Sequence, residues 1–417
     1  MKPYPKYKDS SIEWIGKIPE HWDVEQLKWN TTFEYGVSLS SEARKDGDIP
    51  VFGSNGITGF HDAAITKSPC LIIGRKGSFG KVNWSDKECF PIDTTYYVDQ
   101  TKTINNLRWL YYILLNLRLD QFSRDTGVPG LNREDAYQNF LPLPPISEQT
   151  AIAAFLDRKT AEIDKLIANK QKLIGLYEEK KQAIIKQSVT KGLDPDASMK
   201  DSGIEWLGEI PEHWEVKKLK WVTKNILTGK TPSSTNPSYY NGNINWFSPG
   251  DFNDEIVLSN STRKITSLAI SEAGISMYPA NSILLIGIGA TLGKVGLIKD
   301  SGTSNQQINA IICDSDFILP YYGLYFLYVH KQVIISHSNS ATLAILNQSH
   351  TKELIVTVPP INEQNAIVKH IEITYGKIDQ IIEKLEKQVV LYQEYRTALI
   401  SEVVTGKVKV AEENQCQ

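Results

Sequence analysis

Two glycine-rich loops carry a lysine in a pattern that invites comparison with phosphate-binding loops. A P-loop has four residues between its first glycine and the Gly-Lys pair, followed by serine or threonine for magnesium. Five residues separate Gly74 from Gly80, and valine follows the lysine; Gly287 and Gly293 repeat this departure. The spacing therefore argues against nucleotide binding. A tight turn that brings backbone amides and a lysine to a DNA phosphate fits the pattern, and a plain structural β-turn fits it equally well.

Catalytic motifs are incomplete in this chain. Asn236-Pro237-Ser238-Tyr239 departs at its third position from the Asn-Pro-Pro-Tyr signature of amino-methyltransferases, and no Phe-x-Gly-x-Gly loop precedes it. This argues against a free-standing DNA methyltransferase. No spaced set of carboxylates and lysine suggests a nuclease. His21 and His213 each lie in a Pro-Glu-His-Trp turn, where packing against the tryptophan is expected rather than catalysis, and no metal-ligand spacing is found. We therefore expect no enzyme activity.

The elements that would position these residues occur twice. Residues 8–22 return as residues 200–214, and the match continues through Leu-Lys-Trp at 27–29 and 219–221, at an offset of 192. Pro-Ile-x-Glu-Gln at 145–149 returns at 360–364, at an offset of 215. The order is A-B-A′-B′, and the middles differ in sequence and by 23 residues in length. A fused dimer that keeps one function twice would explain this order. The segments between the matching motifs have diverged, however, and this favours recognition of two different targets.

The middles have the pattern of mixed α/β modules. Apolar runs at 70–74 and 283–287 end in glycine and are typical of strands, and each is followed by a small polar loop. Residues 107–119 and 321–333 are apolar and rich in aromatics, as in buried helices. The fold class is therefore α/β, with two such modules.

Two long helical segments follow the middles. Residues 147–190 contain one glycine and no proline. Apolar residues recur every seven positions, as in a coiled-coil seam, at Leu156, Ile163, Tyr177 and Ile184 with Lys170 in the series and Leu166 and Leu173 between, and at Ile371, Ile378, Leu385, Tyr392 and Leu399 with Ile381 between. Further apolar residues widen the stripe into an expected docking surface for a partner, at Ile167, Ile174, Ile382 and Val389. Helices of about 40 residues would span roughly 60 Å, more than the roughly 34 Å of a DNA turn. An ordinary helical hairpin would share these helices.

Composition limits the function classes. The chain has 417 residues, 41% hydrophobic and 22% charged, which is typical of a globular protein with two domains. No apolar run approaches the roughly 20 residues of a membrane span, the first ten residues do not resemble a signal peptide, and the four cysteines form no close pair in sequence. We therefore expect a cytoplasmic location. The net charge of −3 requires any DNA affinity to come from local patches, shape or a partner subunit.

The motifs together resemble one family. The lead-in Ser-x-Ile-Glu-Trp-x-Gly-x-Ile-Pro-Glu-His-Trp, the stretch Thr231-Pro232-Ser233 with residues 236–251, and the Pro-Pro-Ile-x-Glu-Gln turn before a long helix are similar to segments of type I restriction-modification specificity subunits. The resemblance covers essentially the whole chain. The first module departs from it, because Val37-Ser38-Leu39-Ser40 stands in place of Thr-Pro-Ser.

The resemblance implies a fold and a function. Two α/β target recognition domains would alternate with two long helices that pair as an antiparallel coiled coil with pseudo-twofold symmetry. The expected boundaries are 1–145 and 200–359 for the domains, and 146–199 and 360–417 for the spacer helices with the tail. Each domain would read one half of a bipartite, asymmetric site in double-stranded DNA, and the helices would set the gap. The alternative is a duplicated coiled-coil scaffold without DNA specificity.

Partners and cofactors also follow from the resemblance. Two modification subunits would supply S-adenosylmethionine and methylate adenine. Restriction subunits would supply ATP- and Mg-dependent translocation and cleavage. This chain would hold no cofactor or metal, and no membrane would be involved.

Base recognition needs forked donors and acceptors, arginine for guanine and asparagine or glutamine for adenine. Polar loop residues of this kind, with nearby lysines and hydroxyls, are the expected DNA-binding residues: Arg75, Lys76, Lys81, Arg124, Asn132 and Arg133 in the first module, and Thr231, Ser233, Lys294, Asn305, Gln306, Gln307, Asn347 and Gln348 in the second.

Overall fold

A computed structural model of the chain describes residues 3–121, 129–253, 256–336 and 345–410. It forms two compact units, Met1–Gln171 with Glu386–Gln417, and Lys172–Leu385. Each unit contains one α/β module and one part of each of two long helices. The expected domain boundaries, which assign whole helices to separate segments, remain a prediction.

The first unit is built on a four-stranded and a three-stranded sheet. Its strands are β1 (Tyr7–Asp9), β2 (Lys17–Pro19), β3 (Asp23–Gln26), β4 (Glu34–Tyr35), β5 (Ile49–Gly53), β6 (Gly56–His61), β7 (Cys70–Gly74), β8 (Val82–Ser85), β9 (Phe90–Pro91), β10 (Thr95–Asp99) and β11 (Phe140–Leu143). Its helices are α1 (Leu27–Asn30), α2 (Leu107–Asn116), α3 (Arg133–Tyr137) and the first part of α4 (Ile146–Lys191). The sheet orders are β4-β10-β7-β8 and β6-β5-β9, with two-stranded pairs β1-β2 and β11-β3.

Burial explains why the apolar run at 70–74 forms an inner strand. All five residues of β7 are buried, as expected for a strand with neighbours on both edges and a covered face. Helix α2 begins after Asn106, whose side-chain oxygen accepts hydrogen bonds from the backbone amides of Arg108 and Trp109. The buried face of α2, including Trp109 and Tyr112, belongs to the main core of this unit.

The second unit repeats this plan with a larger sheet. Its strands are β12 (Met199–Asp201), β13 (Glu209–Pro211), β14 (Glu215–Lys218), β15 (Thr223–Thr228), β16 (Tyr240–Phe247), β17 (Val257–Leu258), β18 (Lys264–Ile265), β19 (Ile283–Ile286), β20 (Val295–Ile298), β21 (Gly302–Ser304), β22 (Ile308–Cys313) and β23 (Ile355–Val358). Its helices are α5 (Ser267–Ala273), α6 (Pro320–Val329), α7 (Lys331–Ser336), α8 (Gln348–Glu353) and the first part of α9 (Ile361–Val404). The sheet orders are β15-β22-β19-β20-β17 and β18-β16-β21, with pairs β12-β13 and β14-β23. The predicted α/β class with two long helices is confirmed.

The repeated sequence motifs fasten each module to a long helix. His21 Nε2 lies 2.5 Å from Glu148 Oε1, and His213 Nε2 lies 2.8 Å from Glu363 Oε2. Both histidines therefore bond to the glutamate of the Pro-Ile-x-Glu-Gln turn. In the first unit, Trp22 Nε1 also donates to Glu148, at 3.1 Å. The two repeated motifs are thus the two sides of one structural contact.

A buried glutamine completes each junction. Gln149 accepts a hydrogen bond from the Asn106 amide at 2.9 Å and donates to Asn105 Oδ1 at 2.8 Å and to the Pro144 carbonyl at 3.0 Å. Gln364 accepts from the Leu319 amide at 2.8 Å and donates to the Phe317 carbonyl at 2.8 Å and the Pro359 carbonyl at 2.9 Å. Each glutamine therefore ties the start of a long helix to the start of the module's main helix.

The two long helices pair in both units. In the first unit, Leu156 and Ile163 of α4 share a core cluster with Leu399 and Val403 of α9. In the second unit, Ile185 and Val189 of α4 share a cluster with Ile367 and Ile371 of α9. The beginning of one helix thus packs with the end of the other, and the pairing is antiparallel, as expected.

The seam follows alternating steps of four and three residues, and this corrects part of the sequence interpretation. Three residues expected inside the seam are exposed: Leu166 (43%), Leu173 (40%) and Ile381 (37%). Four residues expected on an outer docking surface are instead buried or half-buried: Ile167, Ile174, Ile382 and Val389. The seven-residue series that starts at Leu156 and at Ile371 was right. The second seam residue, however, lies four positions after each member of that series rather than three.

The same ion pair occurs at equivalent positions of both helices. In the first unit, Arg396 Nε lies 2.9 Å from Asp164 Oδ1. In the second unit, Lys181 Nζ lies 2.8 Å from Asp379 Oδ1. Both residues of one pair match those of the other at the 215-residue offset of the repeat. The pairing of the helices is therefore encoded twice.

Two of the scattered cysteines meet in the first unit. Cys70 Sγ and Cys89 Sγ lie 3.3 Å apart in a small buried cluster with Phe52 and Ile72, and both thiols are free. Their separation of 19 positions concealed this contact, because β7 and the segment before β9 meet only in the fold.

Candidate DNA-recognition site

The first module brings together four of its six predicted DNA-binding residues. Strand β7 ends at Gly74, and the loop that follows pairs with the segment before α3. The Leu131 amide donates to the Arg75 carbonyl at 2.8 Å, and Lys76 forms an isolated β-bridge with Gly130. Because Asn132 and Arg133 directly follow that segment, Arg75, Lys76, Asn132 and Arg133 lie on one surface.

An exposed tyrosine lies at the centre of this surface. The Arg75 and Arg133 guanidinium carbons lie 5.0 Å and 5.1 Å from the centre of the Tyr35 ring. Tyr35 is 46% exposed. Both distances are within the range of cation–π contacts, in which the ring face attracts the cation. Each guanidinium is also anchored by a backbone carbonyl, Arg75 Nη1 by Asp93 at 3.1 Å and Arg133 Nη1 by Phe33 at 3.4 Å.

A second, buried tyrosine packs against Tyr35 and supports this surface. Tyr96 is buried beside Tyr35 and donates its hydroxyl to the Leu131 carbonyl at 3.1 Å. Burial, followed by the neighbouring Tyr35, raises the pKa of Tyr96 to about 12. The hydroxyl therefore keeps its proton at neutral pH and remains a donor. This bond fixes the segment that carries Asn132 and Arg133.

Two predicted residues of the first module, Asn132 and Lys81, make local structural contacts. The Asn132 side chain accepts a hydrogen bond from the Glu134 amide at 2.9 Å and caps α3. Lys81 Nζ donates to the Asn55 carbonyl at 2.9 Å and to Asn55 Oδ1 at 2.8 Å, in the β5–β6 turn. Arg124 lies outside the described residues.

The second module groups a different set of polar side chains. Thr231 Oγ1 donates to Gln306 Oε1, and Asn305 Nδ2 donates to Gln307 Oε1 at 3.0 Å. The Gln307 carbonyl accepts from the Gly287 amide at 2.7 Å, so this network lies beside the glycine loop after β19. The predicted residues Thr231, Asn305, Gln306 and Gln307 are therefore one amide-rich cluster, in which Gln306 and Thr231 are exposed.

Four predicted residues of the second module make other contacts. Asn347 accepts from the His350 amide at 2.9 Å and caps α8, and Gln348 Nε2 donates to the Ile226 carbonyl. Ser233 Oγ lies 2.7 Å from Thr235 Oγ1 within its own turn. Lys294 Nζ donates to the Phe252 carbonyl at 3.4 Å and lines a cleft of about 900 Å³ between the module and the helices of its unit.

Some equivalent backbone positions of the two modules carry different residues. Tyr35 pairs with Tyr96 across β4 and β10, and Thr228 pairs with Asn309 across β15 and β22. Tyr96 donates to the Leu131 carbonyl, and Asn309 Nδ2 donates at 2.8 Å to the carbonyl of Leu346, the repeat equivalent of Leu131. The supporting hydrogen bond is the same, although the residues that make it differ.

Sequence reasoning missed Tyr35 and Tyr96. Neither residue belongs to a motif, and the residues that they contact are distant in sequence. The available signal was the β-branched and aromatic run Thr95–Asp99, which is typical of a strand.

The described part of the chain contains no cluster of three or more His, Cys, Asp or Glu residues that could hold a metal ion. No helix among the described residues is long and apolar enough to cross a membrane.

Comparison with known proteins decides the family. A sequence profile described as "Type I restriction modification DNA specificity domain" matches residues 22–174 and 211–390. The chain belongs to this family. The two matched segments correspond to the two repeats, so the internal duplication is a duplication of the specificity domain.

Curated relatives are named as specificity subunits of type I restriction enzymes. The putative type I restriction enzyme MjaX specificity subunit of Methanocaldococcus jannaschii is 23% identical, over 95% of this chain and 96% of the relative. The EcoBI specificity subunit of Escherichia coli is 25% identical, over 76% of this chain and 68% of the relative. The MjaIX specificity subunit of M. jannaschii is 31% identical over 44% of this chain, and that match spans 41% of the relative's length.

Two solved structures share the fold of the specificity family. A chain from a study of complex assembly and conformational transition of the type I R-M system superposes with a TM-score of 0.71, at 12% identity, over 94% of this chain and 99% of that chain. The HsdS subunit from Thermoanaerobacter tengcongensis gives a TM-score of 0.52, at 15% identity, over 94% and 98%. At these identities the likeness shows the fold alone.

As a member of this family, the chain is a DNA specificity subunit of a type I restriction-modification system and is not itself an enzyme. Its partners are DNA and the other subunits of that system, and the family implies no cofactor of its own. The scaffold alternative is not favoured.

Proposed function

We propose that this specificity subunit reads a bipartite, asymmetric site in double-stranded DNA, with one half-site for each module, and directs adenine methylation and cleavage by its partner subunits. The observation that carries the proposal is the exchange of side chains on equivalent backbone. The first module presents Arg75 and Arg133 on Tyr35, whereas Ile288, Gln348 and Thr228 stand at those positions in the second. A homodimer-like reader of one repeated sequence would present the same groups twice.

The catalytic groups belong to the partners in this proposal. Two modification subunits hold S-adenosylmethionine, and restriction subunits use ATP and Mg. The complex acts on the chromosome, in the cytoplasm. The long helices set the gap between the half-sites; α4 alone has 46 residues, a length of about 69 Å at 1.5 Å per residue.

The exposed apolar residues of the long helices are the proposed docking surface for the modification subunits. In the first unit these include Leu391 (61% exposed) and Tyr395 on α9, and in the second Leu176 on α4 and Ile373 on α9. Exposed apolar residues grouped on a helix pair favour partner binding. This surface replaces the four residues that the sequence suggested, because those residues are buried or half-buried.

A substitution on α9 tests the docking surface. Leu391→Glu should weaken binding of the modification subunit by about tenfold or more, because a carboxylate would be buried in an apolar contact. Gln393→Glu is the matched control, since Gln393 is exposed two residues away on the same helix. Binding is measured by titration of the purified chain with the modification subunit. Equal affinity of both variants would contradict the proposed surface.

The proposal as a whole is tested by methylation mapping. The chain is expressed with its modification subunit in cells without other adenine methylation, and methylated adenines are mapped by sequencing. A single split motif, absent when this chain is omitted, is the expected result. Methylation without a motif, while the subunits still bind each other, would support the scaffold alternative.

A further inference from the structure

In the first module, two guanidinium groups lie against one exposed aromatic ring. Arg75 and Arg133 approach the ring of Tyr35 at nearly equal distances, 5.0 Å and 5.1 Å. Arg133 Nε lies 3.6 Å from the carboxylate of Glu134, whereas Arg75 Nη1 donates to the backbone carbonyl of Asp93. Two cations that converge on one surface repel each other, so the surface is suited to a ligand that is rich in acceptors.

The arginines are also held with fixed orientation. Each has its guanidinium on the tyrosine ring and one nitrogen on a backbone carbonyl. A planar guanidinium that is fixed in this way presents its remaining N–H groups as a fork. A fork matches two adjacent acceptors in one plane, and in the major groove guanine offers such a pair in O6 and N7.

The repeat distinguishes a base contact from a phosphate contact. The sugar–phosphate backbone is chemically the same at both half-sites, so residues that bind it have no reason to differ between the modules. The arginine surface is not repeated, since Ile288 follows the glycine that matches Gly74, and Gln348 stands at the position of Arg133. Thr228 stands at the strand position of Tyr35.

We infer that the half-site read by the first module contains at least one G·C pair whose guanine is recognised in the major groove by Arg75 or Arg133, and that Tyr35 is the residue that positions both. This inference rests on the proposed function. It goes beyond that function because it assigns the base class of one half-site and a role to a residue that contacts no base itself.

The test uses the complex of this chain with its modification subunit, and duplexes that carry the mapped motif. Each guanine of the motif is replaced in turn by 7-deazaguanine, which lacks the N7 acceptor and keeps Watson–Crick pairing. For the wild-type complex, one replacement in one half-site should weaken binding by about 5- to 150-fold. In Arg75→Ala or Arg133→Ala, the same replacement should have little further effect, because the contact is already lost.

Tyr35 is tested through the arginines. Tyr35→Leu should reduce discrimination against 7-deazaguanine while leaving nonspecific DNA binding and the thermal unfolding temperature unchanged, and Tyr35→Phe should restore discrimination. Arg263→Ala is the matched control, since Arg263 is likewise stacked on aromatic rings, at 5.3 Å and 5.1 Å, but belongs to the second module. It should leave recognition of this half-site intact.

Three results would overturn the inference. The half-site altered by the arginine variants could lack guanine, the arginine variants could alter no position of the motif, or they could weaken all sequences alike with a smaller salt dependence, as phosphate contacts do. The 7-deazaguanine duplexes use the wild-type chain, so a variant that fails to fold does not remove the test. If the complex methylates without any motif, the proposed function itself fails, which is a distinguishable outcome.

Discussion

Replacement of Gln149 by alanine should destabilise the first unit by several kcal/mol. The side chain is 1% exposed and makes three hydrogen bonds, one as acceptor from the Asn106 amide and two as donor, to Asn105 and the Pro144 carbonyl. Alanine would leave one buried amide and two buried acceptors without these bonds. At about 1–3 kcal/mol for each orphaned group, and with partial rearrangement of the acceptors, the expected loss is about 3–5 kcal/mol.

Two further variants test whether the loss comes from the buried hydrogen bonds: one removes the equivalent bonds of the second unit, and the other is a control at an exposed position. Gln364→Ala removes the equivalent three bonds from the second unit and should cost a similar amount there. Gln171→Ala changes an exposed position of α4 and should cost less than about 0.5 kcal/mol.

The measurement must resolve the two units, since a chain with two units need not unfold in one step. Hydrogen exchange at equilibrium in urea reports each unit separately, and the Asn106 amide should lose its protection in Gln149→Ala. A loss below 1 kcal/mol in the first unit, or one equal to that of Gln171→Ala, would refute the structural role assigned to the glutamine.

Two further predictions concern charge. Burial alone would raise the pKa of Glu148, but hydrogen bonds from His21, Tyr4 and Trp22 outweigh it and lower the pKa. A carboxylate with a lowered folded pKa stabilises above its unfolded value of 4.5 and loses that contribution as the pH falls through the folded pKa. Urea unfolding of the first unit should therefore depend less on pH below about 4.5 in Glu148→Gln than in the wild type; an unchanged pH dependence would contradict this. For the Asp164–Arg396 pair, Asp164→Arg should cost about 0.5–1 kcal/mol, and the double exchange with Arg396→Asp should recover most of it. A double variant no more stable than the single one would show that the pair does not stabilise the helices.

Much of the fold could be predicted from the sequence because it depends on local patterns. The seven-residue repeat and the lack of proline were sufficient for the long helices, which begin at Ile146 and Ile361. The buried run at 70–74 was sufficient for the inner strand of the first module. These patterns arise from burial on one face of a helix or on both faces of a strand. Such burial can be predicted from one sequence, because it determines the spacing of apolar residues.

The seam was predicted less well for a specific reason. An apolar residue lies both three and four positions after several anchors, as at Leu166 and Ile167 or Ile381 and Ile382. A seven-residue repeat allows either neighbour, and only the packed partner helix decides between them. Ile382 is 8% exposed because it lies in the seam, and its neighbour Ile381 is left outside.

The recognition surface could be predicted only in part. Residue type identified the arginines and amides, and the structure places eight of these positions in two groups. Residue type could not reveal that Tyr35 contacts both Arg75 and Arg133, because this contact depends on which strand ends and loops meet in the fold. Residue type also could not distinguish an asparagine that contacts a base from one that caps a helix. Asn132 and Asn347 match in the repeat because both cap a helix.

The distribution of repeated residues has a physical explanation in a reader of two targets. Many residues that match between the copies make contacts within the protein, as in the His21–Glu148 and His213–Glu363 pairs. Where only a hydrogen bond is needed, the residue itself has changed and the bond has stayed, as with Tyr96 and Asn309. At the positions of Arg75 and Arg133, the side chains have changed to Ile288 and Gln348 without restoring a common contact. Because no internal contact requires those side chains to be the same, they are free to match different bases. The backbone and its internal contacts can therefore remain constant while each module comes to recognise its own half-site.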